Sequence, residues 1–130
     1  MNEAVYRRPV GWFNRSTQHQ DAQAAAEWSR FWEYANWNNL QILSVDIVYH
    51  FARQGTKALV RLHNTEYLRD AWFWGLHVQP QSVVAVQASV GWGPHTNRHD
   101  VLYIGDRYAP GVYAVVAPAT VAAARRHLSG

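Results

Sequence analysis

Hydrophobic and polar positions alternate most regularly in the segment Leu40–Asn64. Between Leu43 and Phe51 every odd-numbered residue is apolar and most even-numbered residues are polar, which is the period of a half-buried β-strand. The pair Gln54-Gly55 interrupts the alternation, and glycine reaches the positive φ angles that tight hairpin turns require. Alternation resumes over Lys57–His63. The segment therefore predicts two antiparallel strands joined at Gln54-Gly55.

With Gln54 and Gly55 as the loop residues, this hairpin has one register that separates its side chains into two rows. The apolar row pairs Phe51 with Ala58, Tyr49 with Val60 and Ile47 with Leu62. The facing row pairs Asp46 with His63, Val48 with Arg61 and His50 with Leu59. We expect the first row to lie in the core and the second to hold the polar and titratable groups.

Three segments predict helices. Thr17 and Gln20 have capping-box spacing and predict a first helix to about Asn36. Its apolar positions form one stripe that should lie on the sheet, made by Ala24, Ala25, Trp28, Phe31, Trp32 and Ala35. Residues Glu66 to about His77 predict a second helix with apolar side chains on several sides, so that a neighbouring subunit is one candidate to cover it. Residues Ala119–Leu128 predict a closing helix.

The remaining apolar runs predict strands at Ser82–Val90, Val101–Ile104 and Val112–Val116, arranged as a meander. Residues 1–15 are interpreted as an arm or edge strand, since Pro9 and Gly11 break regular structure. The predicted fold class is α+β, a single domain over residues 1–130 with the order α-β-β-α-β-β-β-α. One antiparallel, strongly curved sheet should pack against a long N-terminal helix. This element order is similar to that of the cone-shaped NTF2-like proteins, some of which hold small apolar molecules between helix and sheet.

Composition limits the function classes. The 130 residues carry a net charge of +3, and the basic residues are eleven arginines and Lys57. Without cysteine, the chain has no disulfides or thiolate metal sites. The first eight residues lack the apolar core of a signal peptide, and no apolar run reaches the ~20 residues of a membrane span. We therefore expect a cytoplasmic protein without membrane segments.

Aromatic residues make up 14% of the chain and include seven tryptophans, enough to line a pocket or an interface. A curved sheet packed on a helix leaves such a pocket. We predict the ligand-binding residues Trp28, Trp32, Tyr49, Arg61 and Trp74, with Arg61 able to bind an anionic group. The first hypothesis is a non-catalytic binding or interaction domain that takes a small apolar ligand and forms a homo-oligomer.

The leading alternative is a small acid–base enzyme. Its catalytic residues would be Asp46, His50 and His63, because a carboxylate beside an imidazole orients the ring and raises its pKa. An ordinary solvent-facing strand accounts for the same residues, since alternation alone places polar side chains there. Sequence cannot separate these interpretations.

The sequence gives weaker support for two further kinds of site, one for nucleic acid and one for a metal ion. Single-stranded nucleic acid can bind arginines interleaved with aromatics, such as Arg7, Arg8 and Trp12 or Arg107 and Tyr108, and this function ranks third because the net charge is small. The set His95, His99, Asp100 and Asp106 has metal-ligand chemistry, but two histidines in a loop make an incomplete site. We predict no metal and no cofactor.

Overall fold

The computed structural model describes residues 10–89, 98 and 100–129, with side chains described from Thr17 to Gln87 and again at 98 and 100–129. Two helices flank a mixed sheet, which makes the fold α+β. The elements are α1 (Val10–Trp37), β1 (Gln41–Ala52), β2 (Gly55–Leu62), β3 (Leu68–Trp74), β4 (Val83–Val86), β5 (Ala88–Ser89), β6 (Val101–Ile104), β7 (Val112–Val116) and α2 (Pro118–Ser129).

The apolar stripe predicted for α1 packs on the sheet. Its alanines and Phe31 are buried, its two tryptophans are half-buried, and the charged residues of the opposite side are exposed. Phe31 and Ala35 form one core cluster with Ile42, Val83 and Val116. The helix begins at Val10 and not near Thr17, so the predicted arm is wrong for residues 10–15. Residues 1–9 lie outside the described part of the chain.

The hairpin exists, but its predicted register is wrong. The observed pairs are Leu43 with Leu62, Val45 with Val60, Ile47 with Leu59, Val48 with Ala58, His50 with Lys57 and Phe51 with Thr56. The loop residues are Arg53 and Gln54, and Gly55 already belongs to β2. Two register shifts, around Asp46 and around Tyr49, each insert one residue into β1.

These two bulges reverse the faces of the predicted apolar row. Val45 and Val48 point to the same side and pack in the core, whereas Ile47 and Tyr49 are 52% and 50% exposed. Phe51 lies at the end of the strand and is 47% exposed. A strict period of two cannot place these residues, because each bulge shifts the alternation by one position.

The predicted second helix is wrong, since Leu68–Trp74 forms strand β3. Ala71, Trp72, Phe73 and Trp74 are all buried, with Ala71 and Phe73 in the main core and the two tryptophans in a cluster on the opposite face. An apolar run of this kind suits a strand covered on both faces as well as a helix with several partners. The helical surface that suggested a neighbouring subunit therefore does not exist.

The sheet is mixed and not purely antiparallel. Its strand order is β5-β6-β3-β2-β1-β4-β7, and β3 and β6 run parallel. The predicted meander is also wrong, because β6 and β7 do not pair with each other. Both instead pair with one continuous stretch, β6 with β5 and β7 with β4.

This continuous stretch closes the curled sheet into a barrel. Strands β4 and β5 are separated by Gln87 alone. Strand β4 pairs with β1 near one end of the strand order, and β5 pairs with β6 at the other end, so this one stretch of chain joins the two ends of the sheet. The amide of Gln87 donates to the carbonyl of Gly111, which extends the ladder between β4 and β7. Gly105 and Gly111 approach so closely that a Cβ on either would meet the backbone of the other. Inside the barrel lie apolar side chains from β1, β2, β3, β4 and β6.

The predicted closing helix is present as α2, and it packs beside α1 on the outside of the barrel. Arg126 of α2 donates to the buried carboxylate of Asp21 in α1, at 3.2 and 3.3 Å. This ion pair helps hold α2 against α1, and Arg125 and Leu128 of α2 line a groove together with His63 and Asn64, which follow β2. Neither helix in the described ranges is long and apolar enough to cross a membrane.

Candidate functional site

A polar hollow of about 310 Å³ opens where the helical layer ends above β1 and β2. Arg61 donates to the carboxylate of Asp46 at 2.7 Å, and the hydroxyl of Ser44 lies 3.1 Å from Nδ1 of His63. The register explains the first contact, because Arg61 pairs with Ser44 and the bulge at Asp46 turns its carboxylate to the same side. The remaining lining includes Asn64, Thr65, Gln81, Ser82 and Arg125.

An apolar groove of about 550 Å³ adjoins this hollow and shares His63, Asn64 and Arg125 with it. The imidazole of His63 contacts Trp28 and Trp32 of α1, with ring centroids 5.3 Å away in both cases. Leu128 of α2 lines the opposite side of the groove. We call the hollow and the groove together the basic-aromatic cleft.

The cleft is electropositive. Its ionisable side chains are Arg61, Arg125, Asp46 and His63, so two guanidinium groups stand against one carboxylate. Asp46 is already paired with Arg61. Among the ion pairs formed by the described residues none involves Arg125. Burial, and then the positive charge of Arg125, lower the pKa of His63 below its ordinary value of 6.5. A neutral His63 leaves the cleft one net positive charge at neutral pH.

The titration of His63 gives a first prediction. Because its pKa is lowered in the folded state, the unfolded chain takes up the proton first as the pH falls below about 6.5, and the free energy of unfolding decreases until His63 itself is protonated. Replacing Arg125 with glutamine should bring the pKa of His63 closer to 6.5 while burial keeps it below. Histidine-ring NMR titration of both proteins measures this. An identical pKa in the variant would contradict the proximity of Arg125 to the ring.

The structure brings together five of the sequence-predicted site residues. Asp46, Arg61 and His63 line the hollow, and Trp28 and Trp32 line the groove. The predicted pairing of Asp46 with His63 is replaced by the pair Asp46–Arg61, because the real register is shifted. His63 instead has Ser44 and the two tryptophans as its neighbours.

Three predicted site residues lie elsewhere. His50 pairs with Lys57 near the hairpin turn, four ladder positions or roughly 13 Å from the Ser44–Arg61 pair. Tyr49 is half exposed on the outer face of β1, where partial desolvation and then its hydrogen bond to Asp70 raise its pKa above 10.0. Trp74 is buried against Trp72, at 5.7 Å between ring centroids. These residues do not join the cleft.

The other candidate sites receive no support from the described residues. Asp100 forms an ion pair with Arg98 at 2.6 Å. In a nearby turn, the carboxylate of Asp106 accepts hydrogen bonds from the backbone amides of Tyr108 and Ala109. His95 and His99 lie outside the described residues, as do Arg7 and Arg8, and the side chain of Trp12 is not described. No cluster of three or more potential metal ligands occurs in the described part of the chain.

Sequence reasoning missed several cleft residues, among them Ser44, Arg125 and Leu128. Arg125 gives no signal of a site in the sequence, because a basic residue near the C-terminal end of a helix is explained by the helix dipole without any ligand. Its position over His63 depends on how α2 packs on α1, and a single sequence contains no signal for that packing. The Asp21–Arg126 pair joins residues 105 positions apart.

Comparison with protein-family models, with curated proteins and with solved structures yields no match for this chain. Function must therefore be argued from the geometry of the cleft.

Proposed function

We propose that this protein is a non-catalytic binding domain whose working surface is the basic-aromatic cleft, and that the ligand group held there combines an apolar or aromatic part with an anionic group. The observation that carries the proposal is the set of groups around His63. Two tryptophan rings contact its imidazole, and Arg125 lines the same groove and forms no ion pair with any described residue. The groove offers apolar contact, and the arginine offers a charged hydrogen-bond donor next to it.

Ligand pockets typically combine a largely apolar lining with a few placed polar groups, and the cleft has this composition. Arginine binds carboxylates, sulfonates and phosphates through two parallel hydrogen bonds. The side-chain amides of Asn64 and Gln81 also line the hollow, and Gln81, which donates one hydrogen bond to the backbone carbonyl of Asp46, keeps a second N–H for an oxygen of such a group. A neutral His63 would not repel the apolar part of the ligand, and it contacts the same two indoles.

The enzymatic alternative has less geometric support. An acid–base pair needs a carboxylate or an equivalent group that orients the imidazole. Here the carboxylate of Asp46 is bound to Arg61, His50 lies at the far end of the strand, and the contact at Nδ1 of His63 is the hydroxyl of Ser44. These contacts fit a structural role for Asp46 and His63 in lining a binding site better than a role in proton transfer.

Anilinonaphthalene sulfonate, an aromatic sulfonate that fluoresces in apolar sites, tests the proposal. The wild-type protein should bind it, and Arg125→Gln should weaken binding about tenfold, because a charge-assisted hydrogen bond is lost. Arg107→Gln removes the same charge from an exposed turn outside the cleft and should bind like wild type. Phenylnaphthylamine, a neutral analogue, should bind wild type and Arg125→Gln equally. Equal sulfonate affinity in both arginine variants would contradict the proposed site.

A further inference from the structure

The outer face of the barrel continues beyond the cleft, where neither of the two described helices packs on it. Opposite residues of a β-ladder share a face, so the pair Ser44–Arg61 in the cleft is followed outward by Ile47–Leu59 and then by His50–Lys57. The bulge at Tyr49 turns its ring to this side as well, where it meets Asp70 of β3. We call the surface formed by Ile47, Tyr49, His50, Lys57 and Leu59 the strand face.

Apolar exposure on the strand face is large for a barrel exterior. Ile47 is 52% and Tyr49 50% exposed, and Leu68 at the adjacent edge of β3 is 45% exposed. The two helices cover a different part of the outer surface, over Ile42, Val83, Ala85 and Val116. A contiguous exposed apolar patch with polar residues at its rim is typical of an interaction site.

Positively charged side chains lie at both ends of this apolar patch. Arg61 and Arg125 stand at the cleft end, and Lys57, beside His50, stands at the turn end. Arg61 and Lys57 are four residue steps apart in β2, a distance of about 13 Å along an extended strand. Two carboxylates lie in the same region, Asp46 in an ion pair with Arg61 and Asp70 hydrogen-bonded to Tyr49, so the three cations leave one net positive charge. The exposed charge complements a chain of anions, and the rings between the cations complement flat apolar groups.

We infer that the ligand of the cleft is part of a single-stranded nucleic acid, which runs from Trp28 and Trp32 across Arg61 and along the strand face to Lys57. This inference rests on the proposed function and names its ligand class. Aromatic side chains that stack with bases, together with cations that contact the intervening phosphates, are the features by which proteins hold single strands. A duplex keeps its bases stacked inside and offers no rings to Tyr49 or to the tryptophans.

A labelled oligothymidylate of about twelve nucleotides, followed by fluorescence anisotropy at increasing salt, tests the inference. The wild-type protein should bind the single strand more tightly than a duplex of equal length. Tyr49→Ala should weaken binding about tenfold through lost stacking, and Lys57→Gln should reduce the slope of log affinity against log salt by about 0.7. Tyr113→Ala, a half-exposed tyrosine on β7, is the matched control and should bind like wild type.

The outcomes separate this inference from the proposed function. If anilinonaphthalene sulfonate binds in an Arg125-dependent way but oligothymidylate does not bind, or binds equally to the Tyr49 and Lys57 variants, the nucleic-acid inference is overturned and the small-ligand cleft stands. If polyglutamate binds with the Lys57 dependence and oligothymidylate does not, the strand face serves an acidic protein segment and the inference is again overturned. Both variants alter exposed side chains, and unchanged thermal midpoints will confirm that they fold.

Discussion

Replacing Gly55 with alanine should lower the free energy of unfolding by about 3 kcal/mol or more, enough to prevent folding of a marginally stable protein. Gly55 pairs with Trp74 where β2 begins, and a Cβ built there would collide with the backbone carbonyl oxygen of Phe73. Backbone atoms in a paired strand cannot move aside without breaking the ladder between β2 and β3. Urea unfolding, or the yield of soluble protein, measures the effect.

Gly75→Ala is the matched control for this substitution. Gly75 has a φ of 67°, which costs an alanine about 1–2 kcal/mol, but a Cβ there meets no atom within 4 Å. The Gly55 variant should therefore be clearly less stable than the Gly75 variant. Equal stability of the two would show that β2 and β3 do not approach each other as the barrel requires.

Phe73→Ala should cost about 3–5 kcal/mol, because the side chain is fully buried and its removal leaves a cavity in the barrel. Phe51→Ala removes the same atoms from a ring that is 47% exposed and packs against His77, and it should cost less than about 1.5 kcal/mol. Urea midpoints at constant m-value measure both changes.

This comparison decides between the register expected from the sequence and the register of the structure. Strict alternation places Phe51 in the core row of the hairpin and leaves Phe73 on a helix. The barrel places Phe51 at its rim and Phe73 at its centre. A larger loss of stability for Phe51→Ala than for Phe73→Ala would support the alternating register and contradict the barrel.

Sequence patterning succeeds in this chain where one periodicity acts without interruption. The stripe from Ala24 to Ala35 predicts which side of α1 is buried, and the run Val83–Val86 predicts a strand covered on both faces. Patterning fails where a local feature changes the period. The bulges at Asp46 and Tyr49 carry no residue signature, since neither position holds a glycine or a proline.

The assignment of β3 fails for a different reason. Both faces of Ala71–Trp74 are buried, so its hydrophobic pattern has no preferred side and fits a helix and a strand equally. The parallel pair of β3 with β6 is a long-range arrangement that no local pattern specifies. The same limit applies to the cleft: Asp46, Arg61 and His63 are predictable as neighbours on one hairpin face, whereas Arg125 enters only through the packing of α2 on α1.

The central claim is that the basic-aromatic cleft is the binding surface, and NMR mapping of anilinonaphthalene sulfonate tests it most directly. We expect saturable shifts at the indole N–H signals of Trp28 and Trp32 and at the ring of His63. Trp37, which is 88% exposed at the end of α1, serves as the reference and should shift little. Saturable shifts centred on Trp37, or equal shifts at all tryptophans, would contradict the claim.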